Sequence, residues 1–380
     1  MHPLPASAID PDNPTVRHAD MGSGAVLADF VQWAELNYPA KKTMLLIWNH
    51  GQGWRLYLSS AKTFKTRVPS SQVSAIGVKG MRAAAAPTDR PLVGGFRSVS
   101  FDDDTQNFLY NRDIQNSLSG HHLDVIGFDA CLMGMIESAY AFRGIAKVMV
   151  ASEELIPNDG WKYDSWMQDI LKNPEMDAFA LGRDLVESYK NTYKDAGNMT
   201  LSAVDLAQTE QTGTALATLS MTIQANLVTE APNLELARKA SQNYGDWYGD
   251  SWQSCRGSDV LRFHGIDLDH FLASYRGTTQ DANIQKQIDV VRQQLAGMIL
   301  SSYSSAASAG EKYWSTGLAI YFPGSKVDFQ CDSDGDGYDV PNVRNGTVKF
   351  PPEFAEKQGW ADLVYAYLQT PTAAAATLDF

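Results

Sequence analysis

Cysteine is scarce in this chain: three residues, Cys131, Cys255 and Cys331, among 380. That is too few for a fold built on disulfides, and the odd number leaves at least one thiol unpaired within the chain. With Cys131 in that role, Cys255 and Cys331 either pair in an oxidising compartment or stay as thiols, because sequence does not show the geometry a bridge requires. Long apolar runs are missing too. None approaches the roughly 20 residues of a membrane span. The opening Met1-His2-Pro3-Leu4-Pro5 lacks a basic stretch followed by an apolar one, so no signal peptide is visible. Positive charge is short, with 31 Lys and Arg against 44 Asp and Glu, a formal charge of -13. This argues against a nucleic-acid partner, which would need a basic stripe. It favours cationic substrates through the overall field. No His-Glu-x-x-His motif occurs, which sets a zinc metalloprotease aside. What is present is the composition of an ordinary globular protein, 44% hydrophobic and 20% charged, neither disordered nor membrane-spanning in type.

Hydrophobic patterning predicts helices over 24–37, 112–119, 162–172, 177–194, 206–228, 231–243 and 281–300. Short, almost wholly apolar runs at 43–48, 123–128 and 146–151 read as buried strands, with further strands at 199–204 and 316–321. Alternating strands and helices of this kind predict an α/β fold on a mostly parallel sheet. A helix is expected to begin at Cys131, with Leu132, Met135, Ile136, Ala139 and Tyr140 along one face. The first 20 residues read as an irregular lead-in. From Ser59 to Arg97 the pattern dissolves, over a length that suits a functional or flexible loop better than an ordinary connection.

In open α/β sheets, ligands bind beyond the carboxyl ends of the strands. His50 directly follows one buried strand, and Cys131 closely follows another. A helix N-terminus at Cys131 would favour the thiolate. Gly51, lacking a Cβ, can bring its N–H close to a reacting carbonyl and, with the Cys131 N–H, form an oxyanion hole. By chemistry alone the pair fits either a nucleophile and its base, or a small buried hydrophobe and a loop histidine.

The segments Leu46-Ile47-Trp48-Asn49-His50-Gly51-Gln52-Gly53-Trp54 and Asp124-Val125-Ile126-Gly127-Phe128-Asp129-Ala130-Cys131-Leu132-Met133-Gly134 closely resemble the His-Gly and Asp-Ala-Cys motifs of clostripain-like peptidases. The resemblance extends to Ser152-Glu153-Glu154, to Gly160-Trp161-Lys162-Tyr163 and to Thr316–Pro323, and so covers roughly residues 20–325. It implies a caspase-like sandwich, shared with caspases, gingipains and legumain, and a peptidase domain over 21–330. Residues 331–380 then form an acidic loop with a C-terminal helix and tail. It implies a cysteine endopeptidase in which Cys131 attacks the scissile carbonyl and His50 supplies or relays the proton. The substrates are proteins or peptides with Arg or Lys at the cut, and secretion or surface exposure is the family habit. Asp129 matches the family position implicated in holding the basic side chain, where a carboxylate can accept a bidentate guanidinium. The same carboxylate could instead cap a following helix. Asp159 is a second candidate, just past the next strand end. Family members usually begin with a further strand–helix unit carrying an acidic-Asn motif, and no match to it is found before residue 20.

Two loops add to this reading. Lys62, Lys65, Arg67, Lys79, Arg82, Arg90 and Arg97 face only Asp89 between residues 62 and 97. Family members are activated by cleavage in this region, which makes Lys65 and Arg67 the preferred sites of self-processing; a merely solvated loop is the plainer account. Asp332, Asp334, Asp336 and Asp339 resemble a calcium loop, with alternating carboxylates able to converge on one hard cation. Val343 stands where an EF-hand places its bidentate Glu, so a complete EF-hand is excluded. Calcium dependence is known in the family; an acidic surface turn is the alternative. From other function classes, a catalytically silent binding module and a cysteine amidohydrolase on non-peptide amides also fit.

Overall fold

Buried strands need apolar side chains on both faces, and the run Leu123-Asp124-Val125-Ile126-Gly127-Phe128-Asp129 supplies them. In the computed structural model it forms the middle of a cluster of parallel strands. The structure describes residues 19–51, 53, 99–102, 105, 107–245, 247–248, 260–261, 265–305, 315–326, 329, 338, 342–344, 347–349 and 352–375.

The strands are β1 (Met44–Trp48), β2 (Val99–Asp102), β3 (Asn107–Leu109), β4 (Leu123–Asp129), β5 (Ala146–Ala151), β6 (Thr200–Asp205), β7 (Trp247–Tyr248), β8 (Val260–Leu261), β9 (Gly265–Asp267), β10 (Ile299–Ser304), β11 (Ala319–Tyr321), β12 (Asn342–Arg344) and β13 (Thr347–Lys349). The helices are α1 (Gly24–Asn37), α2 (Asn111–Ser117), α3 (Ile136–Phe142), α4 (Tyr163–Lys172), α5 (Ala178–Tyr193), α6 (Thr209–Ala225), α7 (Leu227–Ala240), α8 (Leu268–Thr278), α9 (Ala282–Met298), α10 (Glu353–Lys357), α11 (Trp360–Leu368) and α12 (Pro371–Ala375).

The central sheet has the order β1-β4-β5-β6-β10. β1, β4 and β5 pair in parallel, while β6 is antiparallel to both β5 and β10. Four of the five strands therefore run the same way, as a mostly parallel sheet predicts. Alternate side chains feed two cores. Ile126, Phe128, Met149, Ala151 and Val204 join a large cluster with α3, α6, α8, α9 and the C-terminal helices. Val125, Val148, Val150, Leu201 and Ala203 face α4 and α5, packing with Trp161, Trp166, Leu185, Val186 and Tyr189. Each buried Val, Leu, Ile, Phe or Met among them stabilises the fold by about 1.5–3 kcal/mol relative to exposure. The three-layered helix–sheet–helix arrangement is the α/β sandwich expected from sequence.

The differences are local. The helix expected over 281–300 ends at Met298, and Ile299–Ser304 is strand β10, paired with β6. α8, absent from the pattern reading, starts where the Asp267 carboxylate accepts the His270 N–H at 2.8 Å. Residues from Phe354 to Ala373 dock on the large core. Trp360 donates its indole N–H to the Tyr321 carbonyl at 2.9 Å, and its ring meets Phe271 and Phe322 edge-on. The half-buried Arg143 guanidinium binds Glu353 at 2.9 Å and Glu210 at 2.6 Å. Among the described residues no helix is long and apolar enough to cross a membrane.

Candidate active site

β1 and β4 lie side by side in parallel, with Trp48 in register with Asp129. Their carboxyl ends therefore open together, and the two motifs that follow them meet. Asn49 turns the chain out of β1 with φ at 119°, and its side-chain oxygen accepts the His50 N–H at 2.6 Å. His50 is exposed. Gly51 bridges to Val99 and lies against the turn after β4. A Cβ on Gly51 would fall 2.5 Å from the Cys131 carbonyl oxygen and 2.9 Å from the Ala130 Cβ. Only glycine lets the two chains approach so closely.

Cys131 sits in a turn, not at a helix start. The helix expected there begins five residues later, at Ile136. The backbone donors that would open a helix are bonded sideways instead: Leu132 N–H to the Glu154 carbonyl at 3.2 Å and Gly134 N–H to the Ser152 carbonyl at 2.7 Å. Leu132 takes φ of 60° to do so, and Met135 bridges in parallel to Ala319. The thiol is free and partly exposed, yet neighbouring atoms enclose it closely. Burial pushes its pKa up to about 11, against the pull of the Ile156 N–H and its own amide; Glu154 and Asp129 raise it further. This corrects the expectation that a helix N-terminus would favour the thiolate.

Asp129 is buried at 2% exposure. Its Oδ2 accepts the Trp161 N–H at 3.0 Å and the Tyr163 hydroxyl at 2.8 Å, while Oδ1 is enclosed without a partner. Burial raises its pKa, and the two donors lower it in part. It caps no helix. Gly160, at φ of 61°, closes over it, and a Cβ there would stand 2.5 Å from Oδ2. Tyr193 donates its hydroxyl to the Gly160 carbonyl at 2.7 Å. Asp159 is exposed on the same loop, near enough to Tyr193 to raise its hydroxyl pKa, after burial, to about 12.

Behind the thiol, buried carboxylates tie loops together. Glu154 Oε1 accepts the N–H groups of Leu155 at 2.8 Å and Gly245 at 3.0 Å. Glu153 accepts from Ser315 and from the Gly317 N–H, and hydrogen-bonds Asp267. Asp267 in turn accepts from Tyr244, His270 and Thr316. Burial and the neighbouring Asp267 charge push Glu153 well above the ordinary carboxylate range.

The structure thus gathers Gly51, Asp129 and Cys131 at one strand edge, with His50 adjoining Gly51 and Asp159 on the covering loop. Lys65, Arg67, Asp332, Asp334, Asp336 and Asp339, and with them Cys255 and Cys331, lie outside the described residues. Among the described residues no group of three His, Cys, Asp or Glu side chains could hold a metal. Sequence reading missed Tyr163 as a partner of Asp129, although it stands in the Gly160–Tyr163 motif. It also missed Ile156, which acts through its main chain and leaves no side-chain signal. A thiol and a glycine amide brought together at the strand ends suit attack on a carbonyl.

Comparison with known proteins defines the class. The fold matches a zymogen C11 protease of Parabacteroides distasonis with a TM-score of 0.51 at 19% identity, over 80% of this chain and 70% of that one. It matches a secreted C11 cysteine protease of Bacteroides thetaiotaomicron with a TM-score of 0.50 at 13% identity, over 92% and 79%. The sequence fits the clostripain family over residues 10–68 and 89–330. The chain belongs to the clostripain family. It is 28% identical to clostripain of Hathewaya histolytica over 158 residues, 38% of this chain and 24% of that protein, so it spans about a quarter of that relative's length.

Proposed function

We propose that this chain is a cysteine endopeptidase that cleaves after arginine or lysine. The observation that supports the reading most directly is the contact of Gly51 with the Cys131 turn, with the enclosed Asp129 carboxylate two residues before the thiol. Cys131 Sγ attacks the scissile carbonyl carbon, and the thiol proton passes by way of His50 to the leaving amine. The Gly51 and Cys131 amides receive the developing oxyanion. The C–N bond breaks, leaving a thioester; water then adds, and the carboxylic acid product leaves as the thiol is restored. The unpartnered Oδ1 of Asp129 accepts the cationic side chain once the covering loop admits it, with Asp159 adding negative charge at the entrance.

Matched fluorogenic peptides ending in Arg, Lys, Asp or Leu test this with wild type and Cys131→Ala. Cleavage after Arg or Lys that vanishes in the variant is expected; cleavage surviving in Cys131→Ala, or indifferent to the terminal residue, overturns it. Self-processing at Lys65 or Arg67 and export from the cell belong to the same reading. So does calcium held by the oxygen donors Asp332, Asp334, Asp336 and Asp339, a set that suits a hard cation. Intact mass of wild type against Cys131→Ala tests the first, and calcium titration of thermal stability the last.

A further inference from the structure

Trp48 is exposed, at 61%. It closes β1, immediately before the turn to His50, and pairs in register with Asp129 across the parallel β1–β4 ladder. Side chains alternate along a strand, and residues paired in register share a face. Leu45 and Ile47 enter the large core, while Met44 and Leu46 pack on the opposite face beside Val125 and Trp161. Trp48 continues the row of Met44 and Leu46. Asp129, two residues beyond Gly127 and four beyond Val125, continues the matching row on β4 and meets Trp161 and Tyr163 on that same face. Neighbouring strands stand about 4.8 Å apart, so the indole and the carboxylate rise side by side where the sheet ends.

We infer that Trp48 is a specificity-determining residue that stacks on the side chain held at Asp129 and selects arginine over lysine. This rests on the proposed peptidase reading. A guanidinium is planar and weakly hydrated; it can present an N–H edge to Oδ1 while its face lies on an aromatic ring. An ammonium is a compact, strongly hydrated charge that gains less from an exposed indole. The orphaned Oδ1 of Asp129 provides the edge acceptor, and the exposed Trp48 provides the face.

The test is kcat/KM on paired peptides ending in Arg or Lys, for wild type, Trp48→Ala and Trp48→Phe, with thermal midpoints to confirm folding. Trp48→Ala is expected to lower the Arg-to-Lys ratio by about three- to tenfold, and Trp48→Phe to restore most of it. An unchanged ratio in folded Trp48→Ala, or a loss equal for both peptides, overturns the role of Trp48 alone. A wild type that cleaves neither peptide overturns the peptidase reading and this inference with it.

Discussion

Ile156 holds Cys131 from both of its main-chain groups: its N–H donates to Sγ at 3.3 Å, and its carbonyl accepts from the thiol at 3.8 Å. The segment after β5 is therefore the cradle of the thiol that follows β4. The Ile156 N–H and the thiol's own amide do not offset enclosure and two nearby carboxylates, and the thiol stays protonated at neutral pH.

A protonated resting thiol has a measurable consequence. Raising its pKa from 9.0 to about 11 leaves roughly a hundredfold less thiolate at neutral pH. Alkylation of Cys131 by iodoacetamide, followed by peptide mass spectrometry, should be slow at pH 7.5 and still climbing at pH 10. A rate that levels off below pH 8 would show a thiolate already formed, with His50 as its counter-ion.

On the proposed reading, Asp129 links substrate recognition to that thiol. In Asp129→Asn the side-chain oxygen still accepts from Trp161 and Tyr163, so folding should survive. Loss of the buried charge should lower kcat/KM for Arg peptides by roughly a hundredfold or more. Alkylation of Cys131 should meanwhile become faster, since one of the charges opposing its thiolate has gone. In wild type the raised pKa of Asp129 means that protonation competes with the substrate cation; KM for Arg peptides should therefore rise as pH falls through that value. Opposite movements of the two rates separate a recognition carboxylate from a merely structural one.

The buried strands were legible because each is a short apolar run, and β5 and α1 match their expected limits residue for residue. The approach of Gly51 to the Cys131 turn was legible from the strand ends. The turn at Cys131 was not, because the pattern of Leu132, Met135, Ile136, Ala139 and Tyr140 that predicts a helix there is also what a buried turn followed by a short helix produces. Tertiary bonds to Ser152 and Glu154 decide between the two. β10 was misread because Ile299–Ser304 continues an amphipathic helix without a break signal, and its pairing with β6 is a long-range choice. The roles of Glu153, Asp267 and Ile156 depend on contacts between loops distant in sequence, for which local pattern has no term.

Gly51 offers a sharp test of the close approach at the strand ends. Gly51→Ala places a methyl group within 2.5 Å of the Cys131 carbonyl oxygen, so one of the two chains must withdraw. On the proposed mechanism the amide would leave the position at which it faces a tetrahedral oxyanion, a displacement expected to cost about 10²–10³ in kcat. KM should change little, because Asp129 and Trp48 lie on separate strand positions. A fall confined to KM would place Gly51 in substrate recognition rather than in oxyanion stabilisation.

Glu137 gives the fold a pH dependence independent of the active site. It is fully buried in α3, with Oε1 accepting the Tyr321 N–H at 3.0 Å and the Tyr338 hydroxyl at 2.7 Å. Its Oε2 has no partner. Burial raises its pKa from 4.5 to about 7 despite those two donors. The folded protein thus binds this proton more tightly than the unfolded chain, and its contribution to stability is full below about pH 4.5. That contribution is lost as pH rises through 7, by about 2 kcal/mol between pH 5 and 8. Glu137→Gln keeps an acceptor for Tyr321 and Tyr338 and carries no charge to bury. It should flatten this part of the urea-midpoint profile and exceed wild type in stability at pH 8. Tyr338 stands within the acidic 332–339 segment, so Tyr338→Phe should steepen the loss by removing a donor to the ionised carboxylate. A wild-type profile already flat between pH 5 and 8 would mean that Glu137 is ionised when buried, and that a donor to Oε2 is supplied from outside the described residues.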